Sequence, residues 1–198
     1  MTYNPDIHKR RSIRLKDYDY SQAGAYFVTM CTFKKECLFG DIEDGKMRLN
    51  EFGEVVKRQW LQTGVVRASV ELDEFQIMPN HFHGIIILND NVGAIRRVAL
   101  FPETCCSAPE RAIHRIAPTG DIAGAVSGSI GAVIGQLKSI VTKQINAIRN
   151  TPGCPVWQRN YYEHIIRNED EMDRIREYII NNSVKWAEDE NNPANIKS

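Results

Sequence analysis

The stretch Val70-Glu-Leu-Asp-Glu-Phe-Gln-Ile-Met-Pro-Asn-His-Phe-His-Gly-Ile-Ile-Ile-Leu88 decides how this chain folds. From Val70 to Met78 apolar and polar residues alternate, the period of a β-strand with one wet face. Pro79-Asn80 breaks the run with turn chemistry. His81 to Leu88 then resumes as a strand rich in β-branched residues, so 70–88 predicts a β-hairpin. Within it His81 and His83 are two apart. On a strand that spacing puts both imidazoles on one face, with Phe82 turned the other way into the core.

Working upstream, Ala25-Tyr-Phe-Val-Thr-Met-Cys-Thr-Phe33 is rich in β-formers and predicts a first strand. Gly40 to Gly45 reads as a turn-rich acidic connection. From Leu49 to Leu61, Phe52, Val55, Val56 and Trp60 recur at three- and four-residue steps, the mark of an amphipathic helix starting near Asn50. Downstream, Asn89 to Ser129 holds three of the eight prolines and no sustained period; a connection of that length predicts a mobile insertion. Order returns at Ile130. Ile130, Val133, Ile134, Leu137, Val141, Ile145 and Ile148 share one arc of a helix that Pro152-Gly153 ends, and Lys138, Thr142 and Arg149 lie along its flank. Asn168 with Glu171 three residues later signals a last helix, from about 169 to 186. The order strand, helix, strand, strand, helix, helix predicts an α+β fold: a ferredoxin-like antiparallel sheet with its helices on one side. Residues 1–22 read as a basic arm, 23–188 as one domain containing the insertion, and 189–198 as a polar tail.

Composition narrows the class. The chain has 198 residues, 25 Lys+Arg and 25 Asp+Glu, and 42% hydrophobic residues, as in an ordinary globular protein. No run of about 18 apolar residues suggests a membrane span, and the first residues lack a secretory pattern. Five cysteines, with Cys105 and Cys106 adjacent, fit no disulfide framework; reduced thiols and a cytoplasmic location are expected. Zero net charge hides an asymmetry. Met1 to Lys16 carries five Lys+Arg and one Asp, whereas Glu163 to Glu190 carries nine Asp+Glu and four Lys+Arg. A basic arm suits nucleic acid; an acidic stretch is ordinarily a solvated face.

The chemistry-bearing residues start from the histidine pair. Two neutral imidazoles on one strand face can converge on a divalent ion, and the plain alternative is two polar residues on a wet face. A third ligand would have to come from His164, a carboxylate of the last helix, or Asn182. On that helix Arg174, Tyr178, Asn182 and Lys185 fall within about a quarter turn, beside the stripe of Met172, Ile175 and Ile179. Tyr178 therefore sits between packed and polar faces, where a tyrosine is ordinarily a packing residue with a wet hydroxyl. Trp157-Gln-Arg-Asn-Tyr-Tyr162 interleaves aromatic faces with a guanidinium and amides, a composition suited to single-stranded nucleic acid or to closing a core. No GxSxG, P-loop or HExxH is present, and no basic motif flanks the thiols.

Five segments in order carry a resemblance: Arg10-Arg-Ser-Ile-Arg14, Tyr26-Phe-Val-Thr29, Glu74-Phe-Gln-Ile-Met-Pro-Asn-His-Phe-His-Gly84, Val156-Trp-Gln-Arg-Asn-Tyr-Tyr-Glu-His-Ile-Ile-Arg167 and Arg176-Glu-Tyr-Ile-Ile-Asn-Asn182. Together they resemble the single-tyrosine HUH transposases, specifically the REP-associated tyrosine transposase group. The resemblance implies metal-dependent cleavage and rejoining of single-stranded DNA through a 5′-phosphotyrosine. His81 and His83 would be the metal pair, Asn182 the third ligand, Mg²⁺ or Mn²⁺ the ion and Tyr178 the nucleophile. The DNA would be a REP-type hairpin, met by Arg10, Arg11, Arg14, Lys138, Arg149, Trp157, Arg159, Asn160, Arg174 and Lys185. A monomer is implied, with a dimer as the alternative and no membrane partner. Where the family usually has proline after its paired asparagines this chain has Ser183, which would let the last helix run on toward Trp186. A domesticated, non-catalytic binder of structured DNA and a metal-dependent hydrolase of a soluble phosphoester are the competing readings.

Overall fold

The computed structural model describes residues 19–89 and 126–195. Four strands form the main sheet: β1 (Gly24–Cys31), β4 (Val70–Ile77), β5 (His81–Leu88) and β6 (Tyr162–Ile166). Their order is β4-β5-β1-β6, with every neighbouring pair antiparallel. Two helices link them in the ferredoxin-like sequence, α1 (Glu51–Val66) before β4 and α2 (Ile130–Ile148) before β6. A third helix, α3 (Glu169–Asn181), follows β6. The expected α+β class with an antiparallel sheet is the observed one. No helix among the described residues is long and apolar enough to cross a membrane.

The sequence signals act locally as read. Asn50 caps α1, its side chain accepting from the Phe52 and Gly53 amides at 3.0 Å. Asn168 caps α3 by accepting from the Glu171 amide at 2.8 Å. Glu171 does not return to the cap residue as a capping box would. Its carboxylate instead accepts from the Arg167 amide at 2.8 Å and meets His164 Nε2 at 2.8 Å. Six residues of the expected α2 arc are buried; Ile148, at the last turn, is exposed.

Alternation along the strands sorts the core into two layers. Tyr26, Val28 and Met30 of β1 and Phe82 and Ile86 of β5 share one face, covered by Trp60 and Val56 of α1 and Ile134 and Val141 of α2. Phe27, Ile85 and Ile166 share the other, covered by Met172, Ile175 and Ile179 of α3. The helices are therefore divided between the faces, where one side was expected. The reason lies in β5: Ile85-Ile-Ile87 is apolar in both directions, so the second face also needs burial.

Three further expectations are corrected. Gly40 to Gly45 is not a plain connection, because β2 (Gly40–Glu43) and β3 (Lys46–Leu49) pair there as a small hairpin. The segment 156–166, read without a strand, supplies β6, the sheet edge beside β1. The last helix ends at Asn181 rather than continuing to Trp186. There the Asn182 amide donates to the Ile179 carbonyl three residues back (3.2 Å), so the final turn tightens, and a short 3-10 turn follows at Trp186–Glu188. Arg10, Arg11, Arg14 and nearly all of the expected insertion at 89–129 lie outside the described residues.

Candidate metal and nucleophile site

Strand alternation puts His81 and His83 on the α3 face of the sheet, and both are buried. Their rings lie edge to face, 4.6 Å between centroids. Each ring is held on its Nδ1 side by a neighbour. His83 Nδ1 meets Thr29 Oγ1 at 2.8 Å across the β1–β5 pair, and His81 Nδ1 meets Asn80 Oδ1 at 2.9 Å. Phe27 stacks on His83 at 5.5 Å.

The α3 helix brings the remaining residues. Its stripe of Met172, Ile175 and Ile179 is seated on Phe27, Ile85 and Ile166. Arg176 anchors it to β4 through both oxygens of Asp73, at 3.0 and 2.6 Å. One helical turn of phase then aims Tyr178 at the histidines: its hydroxyl lies 3.5 Å from His83 Nε2, and its ring packs edge-on against Phe27 at 6.0 Å. Asn182, at the end of α3, is buried. His81, His83, Tyr178 and Asn182, selected from two separate segments of sequence, thus come together. The tyrosine is half exposed, at 49%, and forms part of the wall of a cavity of about 410 Å³ with Thr29, His83, Asn160 and Tyr162.

Burial decides the protonation of these groups. It pushes His81 down to about 4, against the pull of the nearby Asp189 carboxylate. It also holds His83 well below the usual histidine range, with the charge of His81 adding to it. Both imidazoles are therefore neutral near pH 7, the form that ligates metal. The Tyr178 phenol is raised, first by burial and then by the charge of Asp189, with the Asn182 side chain opposing.

The residues fit a divalent cation on one observation. His81 Nε2 and Asn182 Oδ1 are both buried and neither has a hydrogen-bond partner. Asp189 Oδ2 lies 3.8 Å from the same His81 Nε2. A gathering of buried acceptors without a donor is costly unless a cation satisfies it. Among the described residues no three His, Cys, Asp or Glu side chains form a metal-holding group by themselves; a divalent ion at this point would need the Asn182 amide beside the two imidazoles.

The other expected contact residues are scattered. Asn160 reaches the cavity rim, and Arg174 lies in an adjoining cavity of about 340 Å³ with His164, Glu171 and Tyr178. Lys185 is exposed beyond the end of α3. Lys138 Nζ donates to the carbonyls of Gln158 (2.5 Å), Arg159 (3.2 Å) and Asn160 (3.4 Å), holding the segment that leads into β6. Arg149 bonds Asn146 and the Pro155 carbonyl at the end of α2. Trp157 is 6% exposed and packs on Phe39 at 5.1 Å, which makes it a core residue with little ring surface open to a ligand. Arg159 is exposed and lines a cleft of about 730 Å³ between α2 and the 152–159 segment.

Sequence reasoning missed Thr29, Asn80 and the segment 189–191. Thr29 had a signal, because alternation in β1 puts it on the α3 face with Phe27. Asn80 read only as a turn residue. Residues 189–198 read as a polar tail, yet Glu190 and Asn191 line the 410 Å³ cavity and the Asn191 carbonyl accepts from Asn80 Nδ2 at 2.7 Å.

No family model matches the chain. The fold is that of a REP-associated tyrosine transposase solved bound to a REP hairpin: TM-score 0.50, 17% identity, 87% of this chain and 74% of that one covered. A protein of Haemophilus influenzae described as "Uncharacterized protein" is 42% identical over 188 residues, which span 95% of this chain and 96% of that protein. The chain belongs to one family with that Haemophilus protein.

Proposed function

We propose that the protein is a transposase-type enzyme that cleaves and rejoins single-stranded DNA at REP-type hairpins, with Tyr178 as nucleophile. The observation that carries this is the placement of the Tyr178 hydroxyl 3.5 Å from His83 Nε2, beside the unpartnered His81 Nε2 and Asn182 Oδ1. The shared fold with a transposase solved on a REP hairpin supports the choice of substrate.

In this reading His81, His83 and Asn182 hold Mg²⁺ or Mn²⁺. When bound, the ion supplies positive charge that polarises the scissile phosphate and eases loss of the phenolic proton. Tyr178 Oη forms a bond to phosphorus while the bond from phosphorus to the 3′ oxygen breaks. The phenolic proton leaves to solvent, and the departing 3′ oxygen takes up a proton to become a hydroxyl. The phosphotyrosine keeps the linkage at the diester level, so attack by a 3′-hydroxyl restores DNA and frees the tyrosine. Thr29 and Asn80 orient the imidazoles, and Phe27 packs against both His83 and Tyr178. Raised above its usual value of about 10, the phenol is protonated at neutral pH, so it must lose its proton as it attacks.

The test is a denaturing gel of the protein with Mn²⁺ and end-labelled hairpin oligonucleotides. Label 3′ of the cut should migrate with the protein, and Tyr178→Phe should abolish the adduct while DNA binding persists. An adduct that survives Tyr178→Phe removes the nucleophile assignment. Binding without an adduct in the wild type leaves a non-catalytic DNA binder.

A further inference from the structure

Asn80 is fully buried, and every polar atom of its side chain and its carbonyl is engaged. Its backbone carbonyl accepts from the Thr32 amide at 2.9 Å and from Thr32 Oγ1 at 3.0 Å. At one end of its side-chain amide stand two backbone carbonyls, Lys35 O at 3.0 Å and Asn191 O at 2.7 Å. At the other end stands His81 Nδ1 at 2.9 Å.

This arrangement leaves one assignment of hydrogens. A backbone carbonyl can only accept, so the end of Asn80 facing two of them must be the NH₂ group, whose two protons match the two acceptors. The opposite end is then the amide oxygen, which only accepts. His81 Nδ1 must therefore carry the proton. In a neutral imidazole this leaves Nε2 as a bare lone pair, and Nε2 is the buried atom without a partner, 3.8 Å from Asp189 Oδ2.

We propose that Asn80 is a positioning residue that fixes His81 in its Nδ1–H tautomer and so presents the Nε2 lone pair for a divalent cation. That Nδ1 carries the proton follows from the hydrogen bonds alone; the use of the free Nε2 in metal binding rests on the reading given above. The second carbonyl comes from Asn191, so the 189–195 segment following α3 takes part in holding a ligand on β5.

The experiment is long-range ¹H–¹⁵N correlation NMR on the full-length, ¹⁵N-histidine-labelled chain at pH 7.5 with EDTA, the His81 signals being identified by their loss in His81→Gln. Wild type should show a pyrrole-type Nδ1 and a pyridine-type Nε2 for His81. Asn80→Ala should move His81 toward the opposite tautomer and weaken Mn²⁺ binding by about 10- to 100-fold, the range for loss of an outer-shell partner. A wild-type His81 protonated on Nε2 overturns the proposal without any variant, so a poorly folding Asn80→Ala does not shelter it. A folded Asn80→Ala with an unchanged His81 tautomer and Mn²⁺ affinity within twofold also overturns it. The outcomes separate from those of the enzyme reading, since the wild-type spectrum needs neither metal nor DNA. A correct tautomer in a protein that forms no DNA adduct would remove only the cleavage reading.

Discussion

Thr29 and His83 face each other across the β1–β5 pair, and the Thr29 hydroxyl sits 2.8 Å from His83 Nδ1. The contact leaves His83 Nε2 turned toward Tyr178. Thr29→Val keeps the shape and removes the hydroxyl. Mn²⁺ affinity should fall about tenfold or more, as for other outer-shell partners of a ligating histidine, measured by titration on a chain whose thermal unfolding shows it folded. Unchanged affinity would mean that stacking on Phe27 orients the ring without the hydroxyl.

Gly84 follows the histidine pair at a point of close approach. What approaches is Trp60 of α1, on the face away from the histidines: a Cβ at position 84 would meet Trp60 Cζ2 at 2.7 Å and Phe82 Cε1 at 2.8 Å. Trp60 and Phe82 are both fully buried, so neither can move aside freely. Gly84→Ala should cost about 1–3 kcal/mol by urea unfolding, the range for overpacking a core.

The Asp73–Arg176 pair ties α3 to β4. Its hydrogen bonds to Arg176 hold the Asp73 carboxyl below the usual carboxylate range. A folded-state value below the unfolded one means that the contribution is present above the unfolded value. It is lost as pH falls through the folded one, from about pH 4 downward. Asp73→Asn should lower stability at neutral pH by no more than about 1 kcal/mol, given partial exposure, and should flatten the acid limb of a stability–pH curve. A curve with the same acid limb in both proteins would show that the pair contributes nothing measurable.

The basic arm bears on DNA affinity rather than on the cut. Replacing Arg10, Arg11 and Arg14 with alanine should weaken binding at low salt. It should also reduce the slope of log affinity against log salt by about 2, from roughly 0.7 per single-strand phosphate contact. A slope identical to wild type would detach the arm from the phosphates.

Lys138 contributes differently from what its charge suggests. It is pushed down to about 8 by burial yet donates to three consecutive carbonyls, those of Gln158, Arg159 and Asn160. Lys138→Met should destabilise the fold by about 1 kcal/mol, since it strands those acceptors near the rim of the cavity. Equal stability, with weakened DNA binding, would make it a contact residue after all.

Local patterns made much of this legible and long-range pairing made the rest opaque. The hairpin at 70–88, the caps Asn50 and Asn168 and the α2 arc rest on neighbours in sequence, and each is where its pattern put it. The α3 wheel likewise put Tyr178 and Asn182 on one side. No local signal could give the strand role of 162–166, whose partners in β1 lie 141 residues away at Ala25–Ile166 and 133 at Thr29–Tyr162. Nor could the sequence reveal the face taken by α3, because that depends on which side of a doubly apolar sheet is already covered. Asn80 was hidden for the same reason: its meaning as more than a turn residue comes from carbonyls at Lys35 and Asn191, far off in the chain on either side.

Tyr178 and His83 that meet at 3.5 Å belong to the same polypeptide. In the proposed reaction a single molecule is then self-sufficient for one cut, and its stoichiometry is fixed: one tyrosine, one severed strand held at a time. Any exchange between two strands must therefore proceed either as successive turnovers on one molecule or by two molecules working side by side.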